Sequence, residues 1–165
     1  MTNLKDIVAR TVPMFLLVLL MHGFIPNLDK YPVNEVELDY MSGATMCENG
    51  NMTGRTEEEI VNDCKRILYT ASVIENRKQS KTWKGSTTEE VIMAKEGQYW
   101  QYASTTRKNF KTKEYTEYVE ACCHYVLYFG SILPENVVYQ GQGSNGREYE
   151  RIPVVGDKDE VFCYE

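Results

Sequence analysis

The sequence predicts an α+β domain, and two observations carry that prediction. Three segments place apolar residues at three- and four-residue steps, which is typical of amphipathic helices. From about residue 137 onward, short β-branched and aromatic runs alternate with glycine turns, which is typical of a small antiparallel sheet. The chain has 165 residues, enough for one core. This order predicts three main helices with a small antiparallel sheet at the C-terminal end.

The N-terminal residues are predicted to be separate from the domain. An almost uninterrupted apolar run occupies residues 11–25 and follows a polar stretch with Lys5 and Arg10. This order is typical of a secretory signal peptide, and the run is shorter than the ~20 residues that cross a bilayer. No clear small-residue cleavage site follows. Residues 1–26 are therefore interpreted as a signal peptide or an uncleaved signal anchor, with membrane association through residues 12–25. The alternative is a buried core helix.

Residues 27–37 are polar, contain Pro32, and predict a linker. The domain proper is expected over residues 38–165. A leader of either kind predicts a domain outside the cytoplasm, either secreted or anchored at the membrane. We expect it to be a monomer.

The first predicted helix covers residues 38–47, where apolar and small side chains recur, and its C-terminal end carries Glu48. Asn49 and Gly50 follow, and both tolerate the positive φ at which helices commonly end. The sequence therefore predicts a single carboxylate presented at the end of a short helix.

The second helix is predicted over residues 57–77 and is the longest amphipathic segment. Thr56 and Glu59 form a capping box before it, and Glu57 and Glu58 suit the positive end of its dipole. Its apolar face consists of residues at three- and four-residue spacing: Ile60, Cys64, Ile67, Leu68, Ala71 and Ile74.

A short helix is predicted over residues 86–94, with Ser86 and Glu89 as its capping box. It leads into GQYWQYA, residues 97–103, where ring and amide side chains follow one another. This composition favours either a groove for polar, ring-shaped ligands such as sugars or a loop that plugs the core.

The third main helix is predicted over residues 113–129, and Gly130 stops it. His124 falls on its solvated side. The predicted buried face consists of Tyr115, Tyr118, Val119, Cys122, Val126 and Phe129.

Three strands complete the prediction. They cover residues 137–140, 151–155 and 161–164, with a loop at 141–146 and a turn at Gly156.

Composition and charge exclude several functions. The net charge of -6 argues against nucleic acid, because phosphate binding needs a basic surface. The five cysteines show no CxxC spacing and there are only two histidines, so we expect neither a metal site nor a cofactor.

The scarcity of histidine also disfavours nucleophilic catalysis. His124 is adjacent to Cys123, so on a helix their side chains diverge, and no G-x-S-x-G segment or phosphate loop occurs. A carboxylate mechanism remains. Glycoside cleavage needs an acid that is still protonated near neutral pH. Glu48 is the acid with small and apolar neighbours, whereas most others lie in surface runs.

Four segments, in order, form a recognisable pattern. They are MSGATMCENGN at residues 41–51, ASVIENR at 71–77, EGQY at 96–99, and a terminal G-x(5)-F at 156–162. Together they resemble the cell wall hydrolases of the SleB type, the spore-cortex-lytic enzyme family of lysozyme-like lytic transglycosylases. The resemblance covers about residues 38–165.

The resemblance implies a lysozyme-like fold and cleavage of the β-1,4 bond between N-acetylmuramic acid and N-acetylglucosamine in peptidoglycan glycan strands. One glutamate, here Glu48, would protonate the glycosidic oxygen. It would then accept the proton of the muramyl C6 hydroxyl as this attacks C1, which gives a 1,6-anhydro product. The residues expected to bind the substrate are Asn76, Gln98, Tyr99, Trp100, Tyr102 and Tyr139.

Three alternatives stay open. Asn-Gly-Asn follows Glu48 where the family commonly has Ala-Arg-Gly-Glu, and the closing turn lacks the family's frequent histidine, so an inactive wall-binding module on the same fold also fits. A muramidase-type hydrolase would give reducing ends, and an Asp or Glu across the groove from Glu48 would favour it. Glu57, Glu58 and Glu59 are the alternatives to Glu48 as the acid.

Overall fold

The computed structural model describes residue 28 and residues 30–165 except 97 and 144, and of Glu96 it describes only the backbone. The predicted signal peptide or anchor, residues 1–26, lies outside the described residues. Within them the α+β prediction is confirmed: five helices, a two-stranded hairpin and a three-stranded antiparallel sheet. None of the described helices is both long enough and apolar enough to span a bilayer.

The helices and strands follow one another along the chain in the order of their residue numbers. The helices are α1 (Glu35–Asn49), α2 (Glu57–Gln79), α3 (Thr88–Ile92), α4 (Ser104–Asn109) and α5 (Glu117–Phe129). The strands are β1 (Lys95–Glu96), β2 (Tyr99–Trp100), β3 (Val137–Gly141), β4 (Glu148–Ile152) and β5 (Glu160–Tyr164).

The three long helices, α1, α2 and α5, enclose the main hydrophobic core, as their apolar periodicity predicts. Fully buried members of this core are Met41, Ile67, Leu68, Ile74, Val119 and Val126. The sheet packs on the other side of α2 through a second cluster that includes Tyr69, Val73, Ile152 and Phe162. Helix α2 is therefore the element shared by both layers.

Helix α1 begins at Glu35, so the last three residues of the predicted linker are helical instead. Asn34 caps it, because its Oδ1 accepts hydrogen bonds from the backbone N–H groups of Val36 and Glu37. The Glu37 carboxylate in turn accepts from Thr88 Oγ1 at 2.6 Å and contacts Lys78 Nζ at 3.1 Å. These contacts tie the start of α1 to α2 and α3.

The small-residue run in α1 allows an unusually close contact with the end of α4. A Cβ atom on Gly43 would lie 1.9 Å from the carbonyl oxygen of Phe110. Only glycine leaves room for the two backbones to meet in this way. This contact brings α4 against α1 one turn before Glu48.

The capping box of Thr56 and Glu59 is confirmed, and α2 extends to Gln79, two residues beyond its predicted end. Near that end, Asn76 Nδ2 donates to the carbonyl oxygens of Pro134 and Val137, at 2.8 and 2.9 Å. Arg77 Nε donates to the carbonyl oxygen of Val138 at 2.7 Å. Two adjacent side chains of α2 therefore anchor the start of the sheet.

Three helix predictions need correction. The N-cap of α3 is Thr87, one residue after the predicted Ser86. Thr88, the first residue of the helix, is fixed there because its hydroxyl donates a hydrogen bond to the Glu37 carboxylate. Helix α5 begins at Glu117 rather than residue 113, because the side chain of Thr116 caps it. Helix α4 was not predicted, since it has no apolar periodicity.

The buried face of α5 is only partly as predicted. Val119, Cys122 and Val126 are fully buried, but Phe129 is 49% exposed. His124 is half-buried rather than solvated, and its Nε2 lies 2.5 Å from the carbonyl oxygen of Tyr31. The reason is that the Tyr31 segment, which precedes α1, packs across the outer side of α5. A periodicity within α5 carries no information about that contact.

The predicted three-stranded antiparallel sheet is confirmed, with the order β3-β5-β4, so the last strand lies in the centre. Strand β4 ends at Ile152, earlier than predicted. The next residue is Pro153, which has no N–H to continue the ladder. The turn at Gly156 is confirmed, with a φ of +78° and a hydrogen bond from Asp157 N to Val154 O.

We predict that Gly43→Ala lowers the free energy of unfolding by about 2–3 kcal/mol, because the added methyl group must displace the backbone of Phe110. Urea denaturation at neutral pH measures the change. The matched control is Gly143→Ala, where an added Cβ meets nothing within 4 Å. The control should change the stability by less than about 0.5 kcal/mol. Equal stabilities for the two variants would contradict the close approach of α1 and α4.

Candidate active site

Glu48 lies in the last turn of α1 and is half-buried, which confirms that the helix end presents this carboxylate. Its Oε1 accepts a hydrogen bond from Thr106 Oγ1 at 2.5 Å. Thr106 belongs to α4 and is 1% exposed. The contact between Gly43 and Phe110 places α4 so that this hydroxyl reaches Glu48.

Burial raises the pKa of the Glu48 carboxyl above its ordinary value. The hydrogen bond from Thr106 and the positive charge of Arg77 act in the opposite direction and are outweighed. The carboxyl therefore keeps its proton to a higher pH than an exposed glutamate does. A general acid needs this property.

Glu48 opens into a cavity of about 150 Å³ between the end of α1, the loop after it, and the turn that precedes β5. Almost all of its lining is polar. The lining residues are Met46, Cys47, Glu48, Asn49, Gly50, Asn51, Arg66, Gln142, Val154, Asp157, Lys158 and Glu160.

The cavity brings a second carboxylate to the site, which the sequence analysis missed. Glu160 is 8% exposed and accepts a hydrogen bond from Asn49 Nδ2 at 3.3 Å. Burial raises the pKa of Glu160, the Asn49 hydrogen bond lowers it, and the charge of Glu48 raises it again. One signal was present: in strand period two, Glu160 shares a face with Phe162, which predicts an inward side chain.

A hydrogen-bond network holds the wall between the two carboxylates. Asn49 Nδ2 also donates to Thr70 Oγ1 at 2.9 Å, and Asn49 Oδ1 accepts from Arg66 Nη1 at 3.4 Å. Arg66 pairs with Asp63 at 2.8 Å, and both side chains are buried. Asp63 Oδ2 accepts hydrogen bonds from the backbone N–H groups of Thr53 and Gly54, at 2.7 and 2.8 Å. The loop after Glu48 is thereby fastened to α2.

The guanidinium of Arg77 is close enough to Glu48 for its charge to lower the pKa of that carboxyl. Arg77 is 3% exposed and is stacked between the rings of Trp83 and Tyr102, with Cζ 4.1 and 4.8 Å from the ring centroids. Arg77 Nη1 and the Tyr102 hydroxyl have no hydrogen-bond partner among the described residues. The positive charge of Arg77 lowers the pKa of both the Glu48 carboxyl and the Tyr102 hydroxyl.

The predicted substrate-binding residues fall into three places. Tyr102 is 4% exposed. Burial raises the pKa of its hydroxyl most, the charge of Arg77 lowers it, and the charge of Glu48 raises it again. Gln98, Tyr99 and Trp100 form the exposed β1–β2 hairpin, where Gln98 Nε2 donates to the Tyr99 hydroxyl at 2.9 Å. None of these four residues lines the cavity beside Glu48.

Asn76 and Tyr139 lie elsewhere. Both amide hydrogens of Asn76 are bonded to backbone carbonyls of the segment that leads into β3, so this side chain has a structural contact. It borders a different cavity, of about 340 Å³, at the C-terminal end of α2. Tyr139 is half-buried and packs edge-on against Trp83, with centroids 5.2 Å apart. Trp83 thus links Tyr139 to Arg77.

The five cysteines are all unpaired, and four of them are buried. Cys47 is half-buried at the cavity, where burial raises the pKa of its thiol, the charge of Lys113 lowers it and that of Glu48 raises it. The contact of His124 with Tyr31 leaves no histidine beside Cys47 among the described residues.

No protein-family model, curated protein or solved structure matches this chain. A function for the site is therefore proposed from its geometry and from the sequence pattern.

We predict that Thr106→Val raises the pKa of Glu48 further, because it removes the one hydroxyl that donates to the carboxylate. The two side chains have similar shapes, so the packing of the buried position is kept. Titration of the side-chain carboxyl ¹³C signal of Glu48 by NMR measures the change. Thr105→Val, at the exposed neighbouring position, is the control and should leave the titration unchanged. A lower pKa in Thr106→Val would contradict the assigned contact.

A second prediction concerns stability against pH. Since the folded pKa of Glu48 lies above its ordinary value of 4.5, its protonation favours the folded state below that pH, and this contribution is lost as the pH rises through the folded pKa. We expect Glu48→Gln, which cannot ionise, to gain stability relative to the wild type between pH 4 and pH 7. Urea denaturation across this range measures the difference. For Thr105→Val, at an exposed position where no ionisable group is exchanged, the difference should stay constant. A difference for Glu48→Gln that shrinks as the pH rises would show that the carboxylate is stabilised on folding.

Proposed function

We propose that this domain cleaves the β-1,4 glycosidic bond of peptidoglycan with Glu48 as general acid. The observation that carries the proposal is the half-buried carboxyl of Glu48, whose pKa is raised and which opens into a polar cavity. The order of sequence segments that resembles the SleB-type cell wall hydrolases supports peptidoglycan as the substrate. A lysozyme-like fold and a location outside the cytoplasm are part of the same proposal.

In the first step, protonated Glu48 donates its proton to the glycosidic oxygen as the bond from that oxygen to C1 of N-acetylmuramic acid breaks. Positive charge develops on the muramyl ring, and Glu48 becomes a carboxylate. The hydroxyl of Thr106 and the charge of Arg77 then stabilise this carboxylate. Because both groups are held in place before the reaction, they need no reorganisation when the charge appears.

In the second step, the C6 hydroxyl of the same muramyl residue attacks C1. Its proton passes to the Glu48 carboxylate, which returns to its starting state. The product is a 1,6-anhydro sugar, and the reaction consumes no water. One carboxyl group suffices, so this lytic transglycosylase route is the leading proposal.

A hydrolase of the muramidase type is the second candidate, and the structure offers a specific reason to keep it. Glu160 and Asp157 line the same cavity as Glu48. A carboxylate in that position activates water or stabilises the oxocarbenium ion in glycosidases. Burial favours the protonated form of Glu160, so the exposed Asp157 is the better candidate base.

We predict that Glu48→Gln lowers the rate of murein cleavage by about 10²- to 10⁴-fold, because the amide cannot donate a proton to the leaving oxygen. Digestion of purified murein followed by mass analysis of the released muropeptides measures the rate. Glu58→Gln is the matched control, since Glu58 is exposed and lies where the sequence offered an alternative acid. An equal loss in both variants, or no loss in Glu48→Gln, would remove Glu48 from the mechanism.

The same digestion separates the two candidate reactions. Anhydromuramyl ends support the transglycosylase, and an activity unaffected by Asp157→Asn agrees with it. Reducing ends, together with a loss of activity in Asp157→Asn, support the hydrolase. Wild-type protein that binds murein without any turnover would reject both and identify an inactive wall-binding module.

A further inference from the structure

Positive charge is concentrated in one part of this acidic chain. Residues 98–113 contain four cationic side chains and no acidic one, although the whole chain has 24 acids and 18 bases. The segment forms β2, α4 and the turn after it. Its four cations are Arg107, Lys108, Lys111 and Lys113.

The exposed Trp100 ring organises two cations on this face. Arg107 Cζ lies 3.9 Å and Lys95 Nζ lies 4.2 Å from the ring centroid. Cation–π attraction holds both side chains beside the indole ring. Tyr99 next to it is 71% exposed. We call these four residues, Lys95, Tyr99, Trp100 and Arg107, the hairpin surface.

Its cations are not neutralised within the described residues. Lys111 pairs with Glu89, but neither Lys95 nor Arg107 forms an ion pair with any carboxylate whose side chain the structure describes. Arg107 Nε donates only to the carbonyl oxygen of Tyr102, at 3.1 Å. Both side chains therefore carry a charge that no described carboxylate balances.

The hairpin surface and the Glu48 site share α4. Arg107 directly follows Thr106, whose hydroxyl donates to Glu48. At the other end of the cationic segment, the charge of Lys113 acts on Cys47, which lines the Glu48 cavity. An anion bound at the hairpin surface would therefore contact the same helix, α4, whose Thr106 donates to Glu48.

We propose that the hairpin surface binds the carboxylates of the peptide stems of peptidoglycan, so that the domain prefers strands with charged stems. This inference rests on the proposed function. Stem peptides carry free carboxylates at intervals along a glycan whose other groups are neutral, which complements two cations held side by side. Trp100 is then a positioning residue for Lys95 and Arg107 and does not stack on a sugar, and the exposed Tyr99 ring packs against the stem.

The test uses the full chain carrying Glu48→Gln, so that ligands bind without turnover. Titration calorimetry measures the affinity for a disaccharide tetrapeptide and for the same fragment with its carboxylates converted to methylamides. We expect the carboxylate form to bind about fivefold to tenfold more tightly, as two partly exposed ion pairs allow. Adding Lys95→Gln, at an exposed site, should remove at least half of the logarithm of the affinity ratio between the two fragments. In 0.5 M salt this ratio should fall both with and without Lys95→Gln.

Lys30→Gln is the matched control, because Lys30 is an exposed lysine of the segment before α1 and does not belong to the hairpin surface. It should leave the preference unchanged. Thermal unfolding of each variant checks that the fold is kept. Equal affinity for the two fragments, an unchanged preference in Lys95→Gln, or equally tight binding of polyglutamate per carboxylate would overturn the proposal.

A separate digestion of murein by the wild-type chain distinguishes this proposal from the proposed function. Cleavage without a carboxylate preference would overturn the hairpin surface alone. A carboxylate preference without cleavage would leave the hairpin surface standing and reject the enzymatic function. If neither occurs, both are rejected.

Discussion

Two adjacent side chains of α2, Asn76 and Arg77, join the helical layer to the sheet. They donate hydrogen bonds to the carbonyl oxygens of Pro134, Val137 and Val138. These bonds set where β3 begins, and β3 aligns the central strand β5. Glu160 at the start of β5 thereby comes to the cavity that Glu48 lines. The positive charge of Arg77 also lowers the pKa of Glu48.

The site keeps two carboxyl groups in surroundings that oppose their ionisation. Burial is the largest cause of the raised pKa of both Glu48 and Glu160, and the charge of Glu48 raises the pKa of Glu160 further. Such an arrangement does not favour stability, since a buried carboxylate at neutral pH costs free energy. The proposed function gives it a use, because a carboxyl that keeps its proton to a higher pH can act as a general acid. The Asn49, Arg66 and Asp63 network supplies the rigidity that keeps this arrangement in place.

Charges of both signs surround Glu48. Asp157 and Glu160 line its cavity together with Arg66 and Lys158, whereas Arg107 and Lys113 belong to α4 and to the turn after it. The net charge, on which the prediction against a nucleic-acid partner rests, does not show this local arrangement. Trp100 illustrates the point. As part of a run of aromatic residues it predicts a groove wall, but its ring is occupied by Lys95 and Arg107.

Sequence patterns alone determined the α+β class, the long helix with its capping box, and the presentation of Glu48 at the end of a short helix. Each depends on local periodicity or on side-chain contacts within a few residues, which are legible along the chain. Only the tertiary structure decided that Thr106 and Glu160 meet at Glu48, that Asn76 anchors a strand, and that Trp100 holds two cations. The contacts of Glu48 and Asn76 join residues that are 58 or more positions apart in the chain. The contacts of Trp100 join side chains on an exposed hairpin and on an unpredicted helix. They depend on how the layers pack, and in particular on one glycine, Gly43, that lets two backbones touch.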